Sequence, residues 1–274
     1  MWPRLRPGAY YGKSIRSYRA GEIALTESAY PPRCAAPKHA HEHAFCYLML
    51  RGSCTETSGS SVRTIAAPHL VFHPAGETHA NHWHATGGGC FHVEFGPAWL
   101  RRVREHSPVL DEPAEFHRGP PVWLAARLYS EFREPDSLSS LAIEGLALEL
   151  VVRAARYKDD RQTHRTPAWL RRAEELLAER FRNPPSLSEL ARSVDVHPVH
   201  LATVFRRQLK CTPGDYVRRR RVEYACGQLA RSDAPLTAVA FDAGFCHQSH
   251  FCRLFKTLTG MTPGQYRQLF RRHP

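Results

Sequence analysis

The sequence predicts a two-domain α+β chain. An N-terminal sandwich or small jelly-roll barrel with a helical pair precedes an all-α domain of seven helices that holds two helix-turn-helix motifs. Three observations predict it. Short apolar runs broken by Gly and Pro fill the first hundred residues, and helical periodicity dominates from Trp169 onward. Charge divides along the same line. The chain carries 38 Lys+Arg against 26 Asp+Glu, a net of +12, of which residues 161–274 hold 20 against 9 and therefore +11. Histidine runs the other way: 11 of 17 precede residue 161, nine of them between His39 and His92. Such asymmetry points to a polyanion-binding half joined to a half with another task.

Composition excludes several classes. At 42% hydrophobic the chain is too apolar for wholesale disorder. It contains no run of about 18 apolar residues that would span a bilayer. Met1-Trp2-Pro3-Arg4 is not followed by an apolar stretch, so no signal peptide and a soluble cytoplasmic protein are expected. The eight cysteines, Cys34, Cys46, Cys54, Cys90, Cys211, Cys226, Cys246 and Cys252, form no CxxC pair and are expected as free thiols.

The first domain is assigned to residues 1–115. Its extended runs are Ile23–Leu25, Phe45–Leu50, Leu70–Phe72 and Cys90–Phe95, with breaks at Gly52, Gly59, Pro68, Pro74-Ala75-Gly76 and Gly87-Gly88-Gly89. Residues 116–157 read as two helices, Val122 to Phe132 and Ser137 to about Arg156, interrupted by Pro135-Asp136. Leu138, Leu141, Ala142, Leu146, Leu148, Leu150, Val151 and Val152 make the second apolar nearly all round, which requires a cover from the barrel or from another subunit. Residues 158–166 are polar and charged, a linker by composition.

Residues 167–274 form the last domain. Trp169, Ala173, Leu176, Leu177 and Phe181 recur at helical steps until Pro184-Pro185. Ser186-Leu187-Ser188-Glu189 reads as a capping box opening a short helix that carries Leu187, Leu190 and Ala191 inward. Pro198 then starts a second helix with Leu201, Val204, Phe205 and Leu209 on its apolar face. The arrangement occurs twice. Leu201, Phe205, Thr212-Pro213-Gly214 and Tyr216 return fifty residues later as Phe251, Phe255, Thr262-Pro263-Gly264 and Tyr266. Upstream, Leu187 and Val196 match Leu236 and Phe245 at an offset of 49, so the second turn is one residue longer. A helix from about Pro213 to Ala230 joins the two units.

Over residues 167–270 the chain resembles the AraC family of bacterial transcription regulators. The clearest stretch runs from Ala243-Gly244-Phe245 through His250-Phe251-Cys252-Arg253-Leu254-Phe255-Lys256 to Gly260-Met261-Thr262-Pro263 and Tyr266-Arg267. The resemblance implies sequence-specific binding of double-stranded DNA, transcription regulation, more weakly activation in preference to repression, and RNA polymerase as a candidate partner. Each second helix would enter a major groove, the two grooves about 34 Å apart on one face of the DNA. Gln248, Ser249, Cys252 and Arg253 point away from the Phe251/Phe255 core and fall on the family's base-contacting positions. Gln suits adenine and Arg suits guanine. The matching positions in the first unit are Val199, Ala202 and Thr203, with His200 and Arg206 nearby; His200 and His250 could equally pack on the neighbouring helix. Arg206, Arg207, Lys210, Arg218 to Arg221 and Lys256 read as phosphate partners or solvated charges. Two residues depart from the family pattern: Cys246, where a small hydroxyl residue is usual at the cap, and Asp195, where glycine is usual.

In the first domain, His39-Ala40-His41 with Gly52 closing the following strand, and Pro74-Ala75-Gly76-Glu77-Thr78-His79, resemble the two cupin motifs. That resemblance implies a sensor barrel and places His39, His41 and His79 on three metal-ligand positions. Phe45 stands at the fourth, where a glutamate would ligate. Three imidazoles could hold Zn²⁺, Ni²⁺ or Fe²⁺ with open positions, and i, i+2 alternation puts His39 and His41 on one strand face, with His43 beside them if the strand continues. An organic effector bound without metal is the other reading, and His69, His73, His82, His84 and His92 read as surface or barrel-lining residues. The helical pair often dimerises in the family, so a homodimer is expected. A metal-dependent, dioxygenase-like cupin enzyme fused to a DNA-binding domain is the competing class. The missing glutamate and the lack of a positioned general acid or base argue against it.

Overall fold

The computed structural model describes residues 2–106, 108, 111–162 and 167–271. It divides into two compact units, residues 1–155 with 264–274, and residues 156–263. The first contains the mixed sheet, the second most of the helical C-terminal part.

In the first unit the described strands are β1 (Arg4–Leu5), β2 (Lys13–Ala20), β3 (Ile23–Tyr30), β4 (Ala35–His41), β5 (Ala44–Ser58), β6 (Ser61–Ala66), β7 (His69–His73), β8 (His79–Phe95) and β9 (Ala114–Phe116). They hydrogen-bond in the order β1-β4-β8-β5-β7-β9, with β3 also on β8, β2 on β3 and β6 on β5. Only the β1–β4 pair is parallel among the described strands. The sheet is organised by its two longest strands. The first half of β5 pairs with β7 and its second half with β6, while β8 pairs with β4 at one end and β3 at the other.

Gly52 does not close a strand as the motif suggests. It sits inside β5 at a register shift, with φ +73°. A Cβ there would collide with the carbonyl oxygen of Gly87 on β8, so the close approach of the two strands demands glycine. Gly87-Gly88-Gly89 likewise lies within β8 instead of breaking it, because the Trp83 ring occupies the space that a Gly88 side chain would need.

Side chains alternate as a pleated strand requires. On β5, Phe45, Tyr47 and Met49 join Val71, Trp83 and Cys90 in one cluster. The opposite face carries Cys46, Leu70, Phe72 and Phe95, which meet Leu150, Val151 and Ala154 of α3 (Ser139–Gln162). A sheet buried on both faces explains the nearly continuous apolar runs. Helix α1 (Pro97–Arg104) and helix α2 (Pro120–Arg133) complete the unit, α2 being buried from Pro121 to Ala126 and at Leu128, Tyr129 and Phe132. Helix α3 packs only part of its apolar surface: Ile143, Ala147 and Leu150 are buried, whereas Leu141, Leu148 and Val152 are exposed, as is Leu138 in the turn before it. It also continues through Gln162, into the segment that composition assigns to a linker; residues 163–166 lie outside the described residues.

In the helical part, α4 (Ala168–Glu179), α5 (Leu187–Ser193), α6 (Pro198–Leu209), α7 (Pro213–Arg231), α8 (Leu236–Asp242), α9 (Gln248–Thr259) and α10 (Pro263–Arg271) follow in order. By contacts, helix α10 groups with the first unit. The Ser186 capping box forms in full, Glu189 N donating to Ser186 Oγ at 3.2 Å and Ser186 N to Glu189 Oε2 at 2.8 Å. Leu187, read as inward, is exposed, since the first helical residue lies beside the cap and outside the packed stripe of Leu190 and Ala191.

The internal repeat is visible in the backbone. The turn from α5 to α6 spans residues 194–197 and that from α8 to α9 spans 243–247, one residue more. Asp195 and Gly244, 49 apart, both adopt left-handed φ, +53° and +87°. Lys210 and Gly260, 50 apart, do the same where α6 and α9 end. A Cβ on Gly244 would come within 2.8 Å of the Arg182 backbone, so the second turn is closed to any side chain. Gly244→Ala should therefore destabilise the helical unit by at least about 2 kcal/mol, adding a backbone clash to the left-handed penalty. Urea unfolding followed by helix content would show it, and an unchanged midpoint would contradict the turn geometry.

Candidate nucleic-acid interface and histidine pocket

Helices α6 and α9 each bury one stripe and expose the other. Leu201, Val204 and Phe205 of α6 enter a core with Leu190 and Ala191 of α5, Leu170, Ala173 and Leu177 of α4, and Val217 of α7. Phe251 and Phe255 of α9 pack with Phe245, while Val239 and Ala240 of α8 are buried. The remaining faces carry the residues singled out from sequence. On α6, Val199 is 67% exposed, Thr203, Arg206 and Arg207 are exposed, and Ala202 is half-buried. On α9, Ser249, Arg253 and Lys256 are exposed, with Gln248 and Cys252 half-buried. His200 is exposed with its ring 5.6 Å from Trp169, and His250 lies edge-on to Phe245 at 5.5 Å.

The two helix starts differ. His197 Nδ1 accepts from Val199 N at 3.3 Å, so imidazole does cap α6. The cap of α9 is His247, without a side-chain hydrogen bond. Part of the basic cluster is committed inside the unit. Arg218 pairs with Asp215 at 2.6 Å and Arg220 with Glu223 at 2.8 Å. Arg221 donates to the carbonyls of Phe181 and Arg182, both at 2.9 Å, and lies over the Phe245 ring at 5.6 Å. These carbonyls follow the end of α4, where a cation is favoured. Arg221 thus ties α7 to the segment after α4, a role its place in a run of four arginines does not disclose.

Residues 190–269 match the family model for a helix-turn-helix domain. Over 170 residues the chain is 29% identical to an AraC-like transcription regulator of Streptomyces antibioticus, covering 59% of this chain and 56% of that protein. Over 150 residues it is 29% identical to the transcriptional regulator LumQ of Photobacterium leiognathi, covering 54% and 60%. The helix-turn-helix domain is of the AraC type. The chain spans less than two thirds of the length of these relatives. Among solved structures it is similar to the C-terminal domain of AraT, a response regulator from Geobacillus stearothermophilus, at 26% identity over 38% of this chain and 88% of that one, with a TM-score of 0.36. Helices α6 and α9, on which the candidate DNA-contacting residues lie, both fall within the matched residues.

The first unit holds a pocket lined by Tyr10, His39, His41, Phe45, His79 and His92, among others. Strand register builds it: His39 of β4 lies opposite His79, the first residue of β8, and His41 follows two residues along the same face. The three histidines are buried, and one ligand atom from each lies within 4.8 Å of the others. His43 does not join them. Strand β4 ends at His41, and His43 Nδ1 sits 3.0 Å from Glu94 Oε1 instead. Phe45 packs on His41 with ring centroids 4.3 Å apart and offers no ligand atom.

The donor set suits a metal. The His39 Nδ1 is 2.7 Å from Pro37 O, which fixes that ring, while His41 Nδ1 and His79 Nδ1 are buried without a hydrogen-bond partner. Burial lowers all three, with repulsion from neighbouring imidazoles: His41 and His79 are each pulled down to about 2. They are neutral at pH 7, the ligating form.

Behind them lies a buried polar network that sequence reasoning missed. Glu56, fully buried, accepts from Tyr47 Oη at 2.8 Å, Asn81 Nδ2 at 3.1 Å and Arg63 at 2.6 and 3.0 Å. His73 stands between two carboxylates, Glu56 at 3.3 Å and Glu77 at 2.8 Å. Burial acts to lower His73 and to raise Glu56, but the charge-assisted contacts win, raising His73 and holding Glu56 well below the usual range. The available signal was alternation, since His69, Val71 and His73 share one face of β7. His92 stacks on Tyr10 with centroids 3.7 Å apart, and burial pulls it down to about 3.

These shifts set the acid response. A histidine lowered in the fold regains its proton on unfolding, so its contribution is present above pH 6.5 and is lost as pH falls, by about 1.4 kcal/mol per unit. His73 has the opposite sign, contributing below pH 6.5 and losing it as pH rises through its raised value. His41, His79 and His92 outnumber it, so the urea midpoint of the first unit should fall between pH 7 and pH 5. The His92→Gln variant should show a shallower fall. A midpoint independent of pH in that range would contradict neutral buried histidines.

Proposed function

We propose that this chain is a transcription regulator that binds specific DNA through its AraC-type domain and answers to a ligand held in its first unit. The observation that carries the reading is the duplicated helix-turn-helix, with α6 and α9 each offering polar residues opposite a buried stripe. Gln248, Ser249, Cys252 and Arg253 would read base edges, Arg253 a guanine and Gln248 an adenine. Val199 and Ala202 can only touch a thymine methyl, and Thr203 adds one hydroxyl, so the second helix-turn-helix carries more of the specificity. His200 would sit beside them. Arg206, Arg207 and Lys256 would contact phosphates.

The first unit is read as a cupin-like sensor. His39, His41 and His79 would hold a divalent metal such as Zn²⁺, Ni²⁺ or Fe²⁺, which when bound would act as a Lewis acid toward a small ligand. The chain's own residues orient that site: Pro37 O fixes His39, and Phe45, packed on His41, supplies no ligand at its own position. Ligand binding regulates only if it favours one domain arrangement over another, by a coupling of typically about 1–3 kcal/mol. Leu141, Leu148 and Val152, left exposed on α3, with Leu138 just before it, support a homodimer. Contact with RNA polymerase belongs to the same proposal.

Selection of bound sequences from random DNA defines the site, after which variants test the assignments. Arg253→Ala should cost about 1–3 kcal/mol and relax the preference at one base pair. Arg207→Ala should weaken all sequences alike and lower the log affinity–log salt slope by about one. Failure to select any sequence would remove the proposal, and an unchanged Arg207→Ala slope would remove that phosphate contact.

A further inference from the structure

A second set of nitrogen and oxygen donors converges where β9 joins the sheet. Leu70 of β7 pairs with Phe116 of β9 and Val71 with Glu115, so continuing the antiparallel register sets His117 opposite His69. The two imidazoles lie with ring centroids 4.0 Å apart, tilted by 51°. His69 Nε2 lies 3.4 Å from Glu115 Oε2, and His117 Nε2 lies 3.7 Å from Glu115 Oε1. One ligand atom from each of the three residues falls within 4.8 Å of the others.

We propose that His69, Glu115 and His117 form a binding site for a divalent transition metal, Zn²⁺ before others, separate from the His39, His41 and His79 pocket. In a tetrahedral site with bonds of about 2.0–2.1 Å, ligand atoms stand about 3.3–3.4 Å apart, close to the His69–Glu115 separation. Two imidazoles and one carboxylate suit zinc, with water in the fourth position. The buried partner points to a ligand. His69 is 2% exposed, and its Nε2 makes no hydrogen bond despite the nearby carboxylate, a costly condition for a buried nitrogen. Glu115 and His117 are 38% and 58% exposed in their side chains, which leaves the ion a way in from solvent.

Arg63 is the neighbour that opposes a cation. Its guanidinium is already engaged by buried Glu56 at 2.6 and 3.0 Å and reaches Glu115 only at 3.4 Å, so its charge is matched elsewhere. A bound ion would fasten the three-residue strand β9 to β7, immediately before the chain enters α2 at Pro120. It would brace the passage from the sheet into the helical pair.

Zinc titration by calorimetry of the full chain, purified without a histidine tag and stripped of metal, tests this. His117→Ala alters an exposed side chain and should bind one zinc fewer than wild type, or bind it at least ~10-fold more weakly. His82→Ala, an exposed histidine outside both clusters, should match wild type. Zinc should also raise the thermal midpoint of wild type and His82→Ala more than that of His117→Ala. Equal stoichiometry and affinity in His117→Ala and wild type, or no zinc bound by wild type, would overturn the proposal. Loss of all zinc in His41→Ala would overturn it too, while leaving the pocket reading intact.

Discussion

The pairing of β5 with β8 is the constraint on which the first unit depends. These two strands are long enough to share their partners, β5 with β7 and β6, β8 with β4 and β3, so a single ladder joins the whole sheet. Its register shifts at Met49/Arg51 and Gly52/Cys54 let the strands bend while remaining paired. Register then decides chemistry. Ser58 of β5 and His39 of β4 both face His79 across the first residue of β8, and a slip of one residue would turn that histidine away from His39 and His41. Glycine at position 52 permits the close approach that holds this register, which ties a backbone requirement in β5 to a side-chain cluster two strands away.

The helical unit obeys a different constraint. Each short helix must reverse within four or five residues so that the following helix can bury one stripe against it. Both turns achieve this with a left-handed residue, Asp195 in the first and Gly244 in the second. The departure from glycine at 195 has a physical explanation: φ of +53° lies where Asp is tolerated, whereas the second turn meets the Arg182 backbone and admits no Cβ. Arg221 closes the same region from the other side by donating to the Phe181 and Arg182 carbonyls. One arginine of a basic run is therefore a structural tie, and the +11 charge of residues 161–274 is not all available to a polyanion.

Local rules were legible in the sequence; long-range ones were not. The Ser186–Glu189 capping box, the extra residue in the second turn and, Leu187 apart, the helical stripes depend on neighbours within a few positions and could be read directly. The pairing of His39 with His79 was reached only through motif resemblance, because nothing local relates residues 40 apart. The network of Glu56, Arg63, His73 and Glu77 was missed for the same reason. It joins β5, β6, β7 and the turn before β8, and no periodicity reports a contact among four separate elements. Glycine misled where it served packing: Gly52 and Gly87-Gly88-Gly89 look like breaks, yet all lie inside strands.

The histidines show how far residue type alone falls short of chemistry. His41, His73 and His79 are all buried in one unit, and desolvation lowers each of them in the first instance. Carboxylates decide the outcome. His73 has two within hydrogen-bonding or ion-pairing range, and its charged form is favoured despite full burial. No carboxylate lies at such range of His41 or His79 among the described contacts, so both are neutral and present lone pairs. His73 stacks on His79 at 4.3 Å, which brings a ring whose protonated form is favoured beside one that burial keeps neutral. Its charge would repel a metal if it stood alone. Glu56 and Glu77, with Arg63 and Ser58 holding them in place, offset that charge locally, and the pocket beyond is lined by the neutral His39, His41 and His79 beside Tyr10, Phe45 and His92.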